Sequence, residues 1–230
     1  MGDPTVHLLE TVTGGERSRL SGHIGGISCL AFSADGRTLV SGSEDTTALV
    51  WDMFGTGGAK AIPLTVEDAE GCWADLGSDD AARAFRAICK LTASPAEAVA
   101  LLEKHLQSIA APDAKRLEQW ITDLDSETFA TRDAAMKALA KLAELAEPAL
   151  RAALDKDPSP EARRRLEQLL AKPYGPATKG EPLRISRAIE ALERIGTTGA
   201  RELLTKLAAG AAGAWQTRDA IAALERLARH

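Results

Sequence analysis

The chain has 230 residues, of which 45% are hydrophobic but only 4% aromatic, and its formal net charge is −5. A core of this size must therefore be built from Ala and Leu, a composition that favours closely packed helices. Acids and bases are interspersed rather than gathered into the basic footprint of a nucleic-acid binder, and the widely spaced Cys29, Cys72 and Cys89 form neither a disulfide framework nor a metal-binding spacing.

The N-terminus carries Asp3 and Glu10 and has no long apolar run, so no signal peptide is expected. The longest run of small residues, 208–214, is too short and too rich in Gly to span a bilayer. These features lead us to expect a cytoplasmic chain that contacts neither membrane nor nucleic acid.

The first expected element is a short strand over 6–10. It has a counterpart ahead, because Val6-His7-Leu8-Leu9-Glu10 and Ala48-Leu49-Val50-Trp51-Asp52 are both apolar runs ending in an acid, 42 residues apart. Between them, strands are expected over 27–33, 38–43 and 47–52, separated by turns at 34–37 and 44–46. Three strands joined by turns with Gly or Asp at their tips read as an antiparallel meander. The pairs Gly14-Gly15, Gly25-Gly26 and Gly57-Gly58 are read as hairpin turns, since none is followed by the Lys-Ser/Thr of a phosphate loop. Gly55 to Gly58, followed by Pro63, reads as a linker, and residues 60–66 are the only local candidate for a fourth strand.

From residue 78 onward the spacing predicts about nine helices. They run from the Ser78-Asp79-Asp80 cap to about Leu91, from Ser94-Pro95 to about Ile109, and from Pro112-Asp113 to Leu124. The next three span 129–143, 147–154 and 160–171; a Pro/Gly-rich loop at 172–182 precedes the last three, near 183–195, 198–209 and 214–229. Ala188-Ile189-x-Ala191-Leu192-Glu193-Arg194-Ile195 recurs 32 residues later as Ala220-Ile221-x-Ala223-Leu224-Glu225-Arg226-Leu227. The expected fold class is mainly α: a helical solenoid preceded by an antiparallel β-meander. Two domains are expected, over 1–66 and 72–230.

Gly22-His23, Asp35-Gly36-Arg37, Ser41-Gly42-Ser43-x-Asp45 and Trp51-Asp52, in that order within one period, resemble a blade of a WD-repeat β-propeller. The helical repeats resemble short HEAT-like repeats, and the whole chain is similar to the C-terminal part of large bacterial WD-repeat proteins with such a tail. The resemblance implies a hydrogen-bonded chain of His23, Ser41 (or Ser43 in its place), Asp45 and Trp51 that locks the blade. A Ser, a His and an Asp also make up nucleophilic triads, but those are defined by geometry and not by composition; the structural reading is preferred. No catalytic residue, cofactor or metal is expected.

A propeller closes with about 4–8 blades, and this sequence holds one, plus the end of a preceding one. The chain is thus expected to be the terminal part of a WD-repeat protein. Its expected function is that of a non-catalytic scaffold that binds another protein, with self-association through the open blade edge. The alternatives are a HEAT-like enzyme subunit of the bilin-lyase kind and a truncated gene product. Arg163-Arg164-Arg165 is read as a solvated helix face beside Glu161 and Glu167, and Trp73, Trp120 and Trp215 as core anchors.

Overall fold

The structure, a computed structural model, describes residues 2–54, 64–171 and 178–229. It is mainly helical, at 57%, with an N-terminal set of five antiparallel strands. The strands are β1 (Thr5–Leu9), β2 (Glu16–Ser21), β3 (Ile27–Phe32), β4 (Thr38–Ser43) and β5 (Ala48–Asp52). They form a β1–β2 hairpin and a separate sheet in the order β3-β4-β5. The β2 strand was not expected, because Glu16, Arg17, Ser18 and Arg19 conceal the alternation that marks a strand. It forms because Leu20 pairs with Val6 and both turn inward, where Val6, Leu39, Met53, Phe54 and Phe85 build a core.

Ten α-helices follow among the described residues: α1 (Val66–Leu76), α2 (Ala81–Ala93), α3 (Pro95–His105), α4 (Ala114–Asp123), α5 (Phe129–Leu142), α6 (Glu147–Leu154), α7 (Pro160–Leu170), α8 (Gly180–Ile195), α9 (Thr198–Ala208) and α10 (Trp215–Ala228). The additional helix is α1, which occupies part of the stretch read as boundary. Its start is an N-cap, in which Thr65 Oγ1 accepts from the Asp68 N–H at 3.1 Å and donates to the Asp68 carboxylate at 2.6 Å. Thr65 and Val66 therefore begin a helix, and the remainder of the proposed fourth strand, 60–63, lies outside the described residues, as does the Gly55 to Gly58 linker.

Two other boundaries differ from expectation. Helix α3 stops at His105 because Leu106 turns extended, its N–H capping Leu102 O. Helix α8 begins at Gly180 and takes in Pro182, which fits a first helical turn where no N–H bond is required; the rest of the loop expected there, 172–177, lies outside the described residues.

The residues divide into two compact units. One comprises Met1–Leu106, Ala177–Leu204 and Ala222–His230, and the other Gln107–Pro176 and Thr205–Ile221. Within the first, α2 buries Ala81, Ala84, Phe85, Ala87, Ile88, Leu91 and Thr92, one stripe at helical spacing. The strands share this unit with α1, α2, α3 and α8, and β2 packs on α2. In the second unit, Leu117, Leu124, Ala135, Leu139, Leu150, Leu166 and Leu169 form the core of α4 to α7.

Candidate functional site: the hydrogen-bonded chain of the three-stranded sheet

The register of the sheet sets the site. Leu39 pairs with Trp51 and Ser41 with Leu49, so Leu39, Ser41 and Trp51 lie on one face, while Val40 and Val50 pair on the other. Before β3 the chain passes Gly22 and His23. A Cβ at Gly22 would come within 2.8 Å of the Leu49 side chain and 3.2 Å of the Trp51 ring, so a larger residue here would push these side chains aside. The next side chain, His23, is thereby placed beneath the β4–β5 turn.

The structure brings His23, Ser41, Asp45 and Trp51 together. Trp51 Nε1 donates to Ser41 Oγ at 2.8 Å. Ser41 Oγ lies 2.8 Å from His23 Nε2, and His23 Nδ1 lies 3.2 Å from Asp45 Oδ2. One proton arrangement satisfies every member, with Trp51 donating to Ser41, Ser41 to His23 and His23 to Asp45. Ser41 is fully buried.

Sequence reasoning missed one member and left the place of Ser43 open. Thr47 Oγ1 lies 3.0 Å from His23 Nδ1 and donates to Asp45 Oδ1 at 2.5 Å. Its only sequence signal is a threonine two residues after a turn aspartate. Ser43 is not in the chain; its Oγ donates to Gly25 O at 2.9 Å and accepts from the Asp45 N–H, so it ties the turn itself.

Asp45 is the hub of the turn. It accepts from the Thr47 hydroxyl and from the Ile24 and Thr47 N–H groups. The Thr47 hydroxyl bond, followed by the Ile24 N–H, holds its carboxyl well below the usual carboxylate range.

The chemistry available here is structural. A nucleophilic serine needs a free oxygen facing a substrate. Ser41 Oγ is enclosed and receives the Trp51 indole proton. The remaining described histidines make local contacts with carboxylates, His7 with Glu16 at 2.8 Å and Asp3 at 3.4 Å, and His105 with Glu70 at 3.2 Å, while His230 lies outside the described residues. Among the described residues no group of three or more His, Cys, Asp or Glu side chains could hold a metal ion, and no helix is long and apolar enough to cross a membrane. Arg163 pairs with Asp157, and Arg165 with Glu161 and Leu124 O. Trp73 is buried and stacks on His105, whereas Trp120 and Trp215 are half-buried.

Apolar side chains are exposed on both faces of the sheet. Val50, 70% exposed, lies with Val40 on the face away from the chain, whereas Leu30 (52%) and Phe32 (58%), paired with Ser41 and Leu39, lie on the chain's own face at the β3 edge; every residue of β3 after Ile27 is exposed. Strand β3 is also the sheet's edge and carries no charge or proline. Exposed, uncharged edges of this kind are templates for association.

The family described as WD domain, G-beta repeat matches residues 14–52. The chain is similar to the Periodic tryptophan protein 2 homolog of Neurospora crassa, 49% identical over 49 residues, which is 21% of this chain and 6% of that protein. It is also similar to Periodic tryptophan protein 2 of Saccharomyces cerevisiae, 42% identical over 50 residues, 22% of this chain and 5% of that protein. A third relative is the Guanine nucleotide-binding protein subunit beta-1 of Caenorhabditis briggsae, 36% identical over 76 residues, 33% of this chain and 22% of that protein. The chain thus spans a small part of the length of each. No solved structure matches it. The N-terminal region contains a WD repeat.

Proposed function

We propose that the chain is a non-catalytic protein-interaction scaffold, in which the WD sheet presents a binding surface and the helices form a HEAT-like platform of bacterial type. The observation that carries this reading is the exposed apolar edge region of the sheet. Within the WD repeat, Leu30 and Phe32 are exposed on one face of the edge strand β3, and Val40 and Val50 on the other face of the sheet. Exposed apolar surface beside an open strand edge marks an interaction site in a folded protein. The partner is another protein, or a second copy of the chain adding to the β3 edge, in a cytoplasmic setting.

The hydrogen-bonded chain of His23, Ser41, Asp45 and Trp51 locks the sheet and gives this surface a fixed shape. It satisfies polar groups whose burial unpaired would each cost about 1–3 kcal/mol.

The test compares the full chain with a Phe32→Lys, Val50→Lys variant. Both sites are exposed, so the fold should tolerate the change. Sedimentation velocity over a range of concentrations reads self-association, and cross-linking in the native host reads partner contacts residue by residue. Loss of association in the variant, with cross-links that map to β3 and β5, supports the proposal. A chain that is monomeric throughout, with cross-linked partners identical for both forms, overturns it.

A further inference from the structure

Helix α8 is far from the strands in sequence, yet one stripe of it meets them. Arg184, Arg187, Glu190 and Arg194 follow at spacings of three, three and four, which puts them along one side of a helix. Arg184 lies over the Trp73 ring of α1, 5.4 Å from its centroid. At the other end, Arg194 lies over Phe54, 4.9 Å from the ring centroid, and its carbonyl accepts from Arg37 at 2.8 Å.

Between them sits Arg187, 2% exposed. Its guanidinium grips Glu10 in a fork, Nε to Oε1 at 2.9 Å and a terminal nitrogen to Oε2 at 2.7 Å. Its other terminal nitrogen donates to Leu76 O at 2.8 Å and Ser78 O at 2.7 Å, at the C-terminal end of α1. A cation is favoured there by the helix dipole. Glu10 is itself 3% exposed and also accepts from Arg17 at 2.9 Å. Arg17 continues the series with a second fork, both terminal nitrogens lying 2.7 Å from the Glu190 carboxylate, and its guanidinium lies over Phe85. Four charges, Arg187, Glu10, Arg17 and Glu190, thus alternate in sign and sum to zero.

Glu10 has a further peculiarity. It holds the place in its repeat that Asp52 holds 42 residues later. Asp52 is exposed, whereas Glu10 is turned into the helices.

We propose that α8 is a clasp that makes the β1–β2 hairpin and helices α1 and α2 one cooperative folding unit, with the Glu10–Arg187 fork as its lock. The β1–β2 hairpin is then fixed to a helical platform and is not a module swinging on a tether. Removing one partner of a buried pair leaves an uncompensated charge and is strongly destabilising, whereas removing both is milder. That asymmetry supplies the test.

Native-state hydrogen exchange is measured on the full chain for the wild type, Arg187→Met, and the Glu10→Gln, Arg187→Met double variant. The clasp predicts that Arg187→Met accelerates exchange by about a hundredfold, by a common factor in β1, β2, α1, α2 and α8. Exchange in α4 to α7 stays unchanged, and the double variant recovers part of the loss. Should Arg187→Met yield no folded chain, Arg187→Lys keeps the charge, loses the fork and gives the same readout. Acceleration confined to the hairpin, or none in either variant, would overturn the clasp.

Discussion

Ser41 is a small neutral side chain, but it joins two aromatic rings to one hydrogen-bonded chain. It accepts from Trp51 and bonds His23 while fully buried. Ser41→Ala leaves the indole N–H and a ring nitrogen without their partner, an expected loss of about 1–3 kcal/mol. The urea midpoint should fall, and amide protection should drop in β4 and β5 and not in α4 to α7. At Glu10 the decisive effect is electrostatic. Burial opposes its charge, yet the hydrogen bonds from Arg187, Thr13 and Arg17 outweigh that and lower its pKa to about 2 from 4.5. A folded-state value below the unfolded one means that the stabilisation is complete above about pH 4.5 and disappears as the pH falls towards 2. Glu10→Gln should be less stable than the wild type near neutrality, and the gap should narrow on acidification through that window. Thermal unfolding of both proteins across that range checks the sign. In the sequence, Glu10 is legible only as the acid that ends a repeat, because its partner lies 177 residues away.

At the scale of elements, local signals placed most helices. Asp80 caps α2 by accepting from the Ala82 and Arg83 N–H groups at 2.9 and 3.2 Å, and Ser159 with Pro160 opens α7. Gly196, in the left-handed region at φ 62°, ends α8 by returning its N–H to Leu192 O. Asp80→Ala should cost about 1 kcal/mol, seen as faster exchange in the first turn of α2. The N-terminal cap of α1 was equally local, but Thr65 lies in the stretch 60–66 read as a candidate fourth strand. Strand β2 had no comparable signal, since its pairing with β1 and its packing on α2 decide its conformation. Strand β3 shows the opposite case: its short apolar run is plain in the sequence, while its exposure is not, because such a run identifies a strand without saying what covers it.

On the scale of the whole molecule, each compact unit draws on separate stretches of chain, and α9 and α10 contribute to both. A sequence boundary between strands and helices therefore does not describe how the core is shared. Leu139, almost wholly buried among α4, α5 and α7, should cost about 2–5 kcal/mol as Leu139→Ala. The loss should be read in exchange of α4 to α7 amides. The repeated Ala-Ile-x-Ala-Leu-Glu-Arg motif also acquires meaning only in three dimensions: Glu193 of the first copy receives a fork from Arg226 of the second, at 2.7 Å through both contacts. The sequence by itself determined the mainly helical class and the order of most elements, because turn chemistry and caps act over a few residues, while the hydrogen-bonded chain was named only through the resemblance to a WD-repeat blade. Only the tertiary structure decided that Thr47 joins that chain, that β2 exists, and that Glu10 is gripped by Arg187. Those outcomes depend on which distant side chains share one desolvated space, and a buried charge takes its partner from wherever the fold brings one.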